Sequence, residues 1–88
     1  MSETLIRIGL VEDDPRDVEL FQEMLREPPE FLFELHHCAR LDQALEMLGG
    51  ILPDVLLLDL WLPDCQGLEV FYRVKSRAPH IPIIIFSG

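Results

Sequence analysis

Positive charge is scarce in this sequence. Seven Lys plus Arg stand against sixteen Asp plus Glu, a formal net charge of −9, and Lys75 is the sole lysine. A nucleic-acid backbone or an anionic bilayer repels such a chain unless basic residues cluster locally. No such cluster occurs, which argues against direct nucleic-acid binding and membrane attachment. Long apolar runs are missing too, since none approaches the roughly 20 residues of a spanning helix. Met1 to Gly9 carries Glu3 and Arg7 where a secretory signal has a basic start and an apolar block, so a cytoplasmic location is expected. The only cysteines, Cys38 and Cys65, are too few for a disulfide framework and read as small apolar side chains. His36, His37 and Cys38 are consecutive, but neighbouring strand residues point to opposite faces, so the three cannot converge on one ion.

What is present is globular composition: 49% hydrophobic and 26% charged over 88 residues, room for one domain or part of one. Leu5 to Val11 is apolar except for Arg7 and stops at Glu12-Asp13-Asp14, as a buried strand does on reaching a polar end. Asp14-Pro15 then opens a helix, with Asp at the N-cap, Pro at the first helical position and Asp17 at the positive end of the dipole. Val18, Phe21, Met24 and Leu25 supply its apolar stripe, and Pro28-Pro29 ends it. Phe31 to His36 alternates like a strand near a sheet edge. Leu41, Ala44, Leu45 and Leu48 form a second helical stripe closed by Gly49-Gly50, although Arg40 and Leu41 offer no N-cap side chain.

Val55 to Leu58 is a continuously apolar third strand ending at Asp59, followed by a Pro and Gly loop over 62–67. Leu68, Val70, Phe71 and Val74 predict a third helix ending near Pro79, and Ile81 to Phe86 a last strand ending at Ser87 and Gly88. Strict alternation of strand and helix gives a doubly wound parallel α/β sheet. The edge-like second strand suits the flavodoxin-like order 2-1-3-4.

Parallel pairing puts Glu12 and Asp13, Asp59 and Ser87 on one rim, at the carboxyl ends of the strands. Carboxylates crowded there raise one another's pKa and call for a shared proton or a divalent cation. Hard oxygen ligands beside water favour Mg²⁺, whose charge lets a carboxylate meet an incoming phosphoryl group.

Three stretches carry a resemblance: Ile8-Gly9-Leu10-Val11-Glu12-Asp13-Asp14-Pro15; Asp54-Val55-Leu56-Leu57-Leu58-Asp59 with Pro63 and Gly67 behind it; and Ile81-Pro82-Ile83-Ile84-Ile85-Phe86-Ser87-Gly88. In order and spacing the chain resembles the receiver domain of bacterial two-component response regulators. The resemblance implies phosphorelay signalling, with a histidine kinase or phosphotransfer protein as partner and no enzymatic activity beyond self-catalysed phosphotransfer and dephosphorylation. It implies Asp59 as phosphoacceptor, Asp13 as a direct Mg²⁺ ligand and Glu12 as a ligand through water. Trp61 would lend a backbone carbonyl to the metal, and Ser87 a hydroxyl that moves to a phosphoryl oxygen. The Trp61 indole is expected to limit the approach of hydrolytic water. Asp14 is assigned to capping and Pro63 and Gly67 to turns.

The family pattern continues past the last strand with a helix, a fifth strand bearing a lysine, and a final helix. Residues 1–88 are therefore expected to be the N-terminal portion of a receiver. Its last strand would expose an apolar edge that self-associates or is completed from elsewhere. The competing reading is a pseudo-receiver, an interaction module that is not phosphorylated. An aspartyl phosphatase would need a second acid where Trp61 stands, and a flavin carrier a Gly-, Ser- or Thr-rich loop where Glu12 to Asp17 stands.

Overall fold

The computed structural model describes residues 4–26 and 31–86. Strand β1 (Thr4–Val11) pairs on both sides, with β2 (Phe31–Cys38) and with β3 (Val55–Asp59), because its apolar run can satisfy its amides only inside a sheet. β3 pairs in turn with the last strand, Ile83–Phe86. All three pairings are parallel, and the order places the second strand outside, as its alternation implied. Helices α1 (Pro15–Leu25), α2 (Leu41–Leu48) and α3 (Leu68–Arg77) make the connections. Between β3 and α3 lies an antiparallel ribbon, β4 (Trp61–Leu62) with β5 (Cys65–Gln66), so the last strand is β6.

Residues paired in a parallel register share a face. Val11 with Leu58, and Leu56 one row below, meet Leu41, Ala44 and Leu48 of α2 and Val70 and Val74 of α3 in one buried cluster. Gly9 lies in the same row as Leu56, and a Cβ there would stand 2.5 Å from Leu56 Cδ1 and 3.3 Å from Pro53 Cγ. On the opposite face α1 brings Phe21 against Phe86, ring centroids 5.1 Å apart, and buries Val18. β6 is covered least: Ile84 is 55% and Ile85 42% exposed.

Several boundaries differ from expectation. The last strand begins at Ile83, not Ile81. Pro82 has no N–H for a ladder and serves only as acceptor, from the Leu56 amide at 2.9 Å, while the Ile81 N–H turns back to Ala78 O and its side chain is buried in the core. The loop expected over 62–67 is mostly the β4–β5 hairpin, which begins one residue earlier, at Trp61. Met24 is exposed, whereas Phe21 and Leu25 are half-buried. Spaced by three and seven residues from Val18, those two stay on its stripe, and position 24 rotates about 100° away from Leu25. The Pro28-Pro29 stop and Ser87 lie outside the described residues.

Local chemistry explains the helix starts unevenly. Asp14 caps α1 as expected, its carboxylate accepting the Arg16 N–H at 2.9 Å, worth about 0.5–2 kcal/mol. Gly67 precedes α3 with φ 81° and ψ −161°, a region open essentially to glycine alone. α2 receives no cap from its own Arg40. The Asp64 carboxylate, at the tip of the hairpin, accepts the Leu41 N–H at 2.8 Å and the Asp42 N–H at 2.9 Å.

Candidate functional site

Each acid is delivered to the rim by the end of a strand. The Glu12 N–H donates to Cys38 O at 3.0 Å, extending the β1–β2 ladder one residue past β1. The Glu12 carbonyl accepts from His37 Nε2 at 2.7 Å, so both backbone groups of Glu12 are tied to β2. Asp59 ends β3 and is 5% exposed, and its Oδ1 accepts the Trp61 N–H at 3.0 Å. Asp13 follows Glu12 and is exposed. Glu12, Asp13 and Asp59 each bring a carboxylate oxygen within 4.8 Å of the others, from segments that only the sheet unites.

That proximity has an electrostatic cost. At 4.8 Å and an effective dielectric constant near 20, the two buried acids Glu12 and Asp59, both ionised, repel by about 3 kcal/mol, and the exposed Asp13 adds less because water screens it. Among the described residues no ion pair reaches these three acids: Arg7 goes to Glu34, Arg16 to Asp14, Arg26 to Glu23, and Arg40 to Asp42 and Asp64. The strain falls on Glu12, whose pKa is pushed up to about 9, first by burial and then by hydrogen bonding to Asp59 and Asp17. Glu12 is 3% exposed, and its Oε2 is buried without a hydrogen-bond partner.

A buried carboxylate oxygen left without a donor fits a cation better than a proton shared among acids. The three oxygen ligands are hard, and the exposed Asp13 leaves one side open to water, which suits an ion that keeps part of its hydration. The donor set therefore fits Mg²⁺.

Of the residues singled out in the sequence, Glu12, Asp13 and Asp59 come together. Trp61 joins them through its backbone N–H to Asp59, while its indole is 70% exposed. His36, His37 and Cys38 do not converge: His36 goes to Glu34 at 2.6 Å, His37 to Glu12, and Cys38 Sγ to Met47 Sδ at 3.8 Å. The part His37 plays in holding Glu12 went unread, because alternation along a strand gives the face of a side chain and not its partner. An open groove of about 490 Å³ beside His37, Cys38, Gln43 and Met47, and two others over α1 with β2 and over α2 with α3, are lined by none of the three acids. The acids form a rim, not a pocket. Among the described residues no helix is long and apolar enough to cross a membrane.

Comparison with known proteins gives a consistent result. The sequence profile of the response regulator receiver domain matches residues 8–88. The regulatory protein LuxO of Vibrio cholerae is 46% identical over 45 residues, 51% of this chain and 10% of that protein. A protein-glutamate methylesterase/protein-glutamine glutaminase of Methanospirillum hungatei is 29% identical over 84 residues, 96% of this chain and 23% of that protein. The chain thus spans a quarter or less of the length of these relatives. The phosphorylated cyanobacterial phytochrome response regulator RcpA is 31% identical with a TM-score of 0.84, covering 96% of this chain and 66% of that one.

Proposed function

Because the chain belongs to the response regulator receiver family of two-component signalling, we propose that it is a Mg²⁺-dependent phosphoacceptor loaded on Asp59 by a histidine kinase or phosphotransfer protein. The observation that carries this reading is the trio of carboxylates with one buried, partnerless oxygen and, among the described residues, no cationic side chain paired with them. Glu12, Asp13, Asp59 and the Trp61 carbonyl would hold the metal. When bound, Mg²⁺ supplies positive charge against the phosphoryl oxygens.

The chain's own residues do the rest. An Asp59 carboxylate oxygen attacks phosphorus in line. The new O–P bond forms as the P–N bond to the donor imidazole breaks, and the electron pair stays on that nitrogen, leaving an acyl phosphate on Asp59. Asp59 needs no base, since a carboxylate oxygen is itself the nucleophile. The Trp61 N–H to Oδ1 fixes the carboxylate plane, so less of the barrier is spent on orientation. A shallow rim in place of a substrate pocket suits a donor presented on a protein surface. We assign Ser87, by its place after β6, the hydroxyl that follows the phosphoryl group.

The test is exposure to beryllofluoride or acetyl phosphate with Mg²⁺, followed by Trp61 fluorescence and intact mass. Acetyl phosphate should add one phosphate, and both agents should change Trp61 emission, all lost in Asp59→Asn. No response in the native chain would leave the fold as an interaction module and refute the phosphoacceptor reading.

A further inference from the structure

The hairpin that follows Asp59 sets the position of the Trp61 backbone, yet it is far too small to hold its own shape. A two-stranded ribbon of four paired residues is not stable alone in water, so its conformation depends on what it is fastened to. Three fastenings are visible. Its base is closed by the Gly67 N–H to Leu60 O at 2.6 Å and by the Trp61 N–H to Asp59. Its inner side is packed through Leu62 and Cys65, 1% and 9% exposed. Its tip is held through Asp64, with one carboxylate oxygen on the Leu41 N–H, the other on the Asp42 N–H and the Arg40 guanidinium 4.0 Å away.

α2 is the firm partner in that contact. Leu41 is completely buried at its first position, and the stripe through Ala44 and Leu48 sits in the core. The side chains nearest α2 are engaged with one another, Asp42 with Arg40 and with the Gln43 N–H. None replaces Asp64. Partial burial raises the Asp64 pKa, and the two amides with Arg40 outweigh this and hold it below the ordinary carboxylate value, so the clamp is ionised at neutral pH.

We propose that Asp64 is a positioning residue of the acid site: by seating the hairpin tip on the N-terminus of α2, it holds the Trp61 backbone in place beside Asp59. The proposal rests on the Mg²⁺-site reading for its effect on metal binding, but the clamp itself can be tested without metal.

The alternative is that Asp64 only caps a helix. Arg40 separates the two, because its backbone is already extended, φ −138° and ψ 155°, as an N-cap requires. Arg40→Ser gives α2 a cap of its own while leaving the hairpin tip unheld. The variants are Asp64→Ala, Asp64→Asn, and Asp64→Ala combined with Arg40→Ser. Two quantities are read: backbone amide exchange at Leu41 and Trp61 in EDTA, and Mg²⁺ affinity from Trp61 emission.

Asp64→Ala should speed exchange at both amides and weaken Mg²⁺ binding about tenfold, the lower end of what losing an outer-shell partner costs a metal site. Asp64→Asn, which keeps one acceptor oxygen but turns a donor N–H₂ toward the other amide, should recover only part of both. The double variant should restore protection at Leu41, leave Trp61 unprotected and leave Mg²⁺ weak. Recovery of Trp61 and of Mg²⁺ affinity in the double variant would reduce Asp64 to a helix cap and overturn the proposal. Should Asp64→Ala alone fail to fold, the double variant with its restored cap decides the matter. Should the native chain bind no Mg²⁺, the site reading fails, and Trp61 exchange in EDTA still judges the clamp.

Discussion

Replacing Glu12 by Gln should stabilise the metal-free protein, and the gain should grow with pH. Glu12 has a folded-state pKa of about 9 against an ordinary 4.5. An acid whose folded value is the higher leaves stability fully present below the ordinary pKa, lost as pH rises, with the loss complete near the folded value. At pH 7, some 2.5 units above the ordinary value and at about 1.4 kcal/mol per unit, keeping Glu12 protonated in the fold costs about 3 kcal/mol. Gln retains the shape, never ionises and can donate to Asp59. Water entering on the Asp13 side screens part of the cost, so the expected gain at pH 7 is at least about 1 kcal/mol, or about 4–8 °C in Tm for a domain this small.

The assay is thermal unfolding by circular dichroism in EDTA at pH 5, 6, 7 and 8. The variant should lead by a margin that widens at each step. On the proposed Mg²⁺ site, excess Mg²⁺ should then narrow or reverse the lead, since binding to the native fold would stabilise the wild type and the variant would lack a ligand. A variant less stable than wild type in EDTA at pH 7, or a margin flat from pH 5 to 8, would refute the electrostatic argument.

Gly67→Ala should lower stability by about 1–3 kcal/mol, because φ 81° with ψ −161° is costly for any residue bearing a Cβ even though open space surrounds it. Urea unfolding should show a lower midpoint at unchanged slope. Trp61→Asn should shorten the lifetime of the phosphorylated chain, since a bulky, largely exposed indole beside Asp59 gives way to a small polar group that admits water. Decay of phosphate from the purified phosphoprotein measures it, and equal lifetimes would dismiss a shielding role for Trp61.

What the sequence determined on its own was whatever depends on neighbours along the chain or on strand ends. Asp14-Pro15 reads as a helix start because the cap and the amide it serves are two residues apart. The order β2-β1-β3-β6 followed from a second strand whose alternating polarity suits an edge. The meeting of Glu12, Asp13 and Asp59 needed only that parallel strands end on one side. The hairpin after Asp59, the late start of β6 at Ile83 and the exposure of Met24 were harder to read, since each turns on one proline, one short ribbon or one residue's rotation about a helix.

Only the tertiary structure decided the partners that come from far away. The cap of α2 arrives from Asp64, 23 residues beyond Leu41, and the hydrogen bond fixing the Glu12 carbonyl comes from His37, 25 residues on. The isolated Oε2 and the raised pKa of Glu12 follow from burial among Asp17 and Asp59. Sequence carries the chemistry of each group, but desolvation and distance exist only after the chain has closed on itself. Those two quantities turn three ordinary acids into one cluster with a buried, unpartnered oxygen.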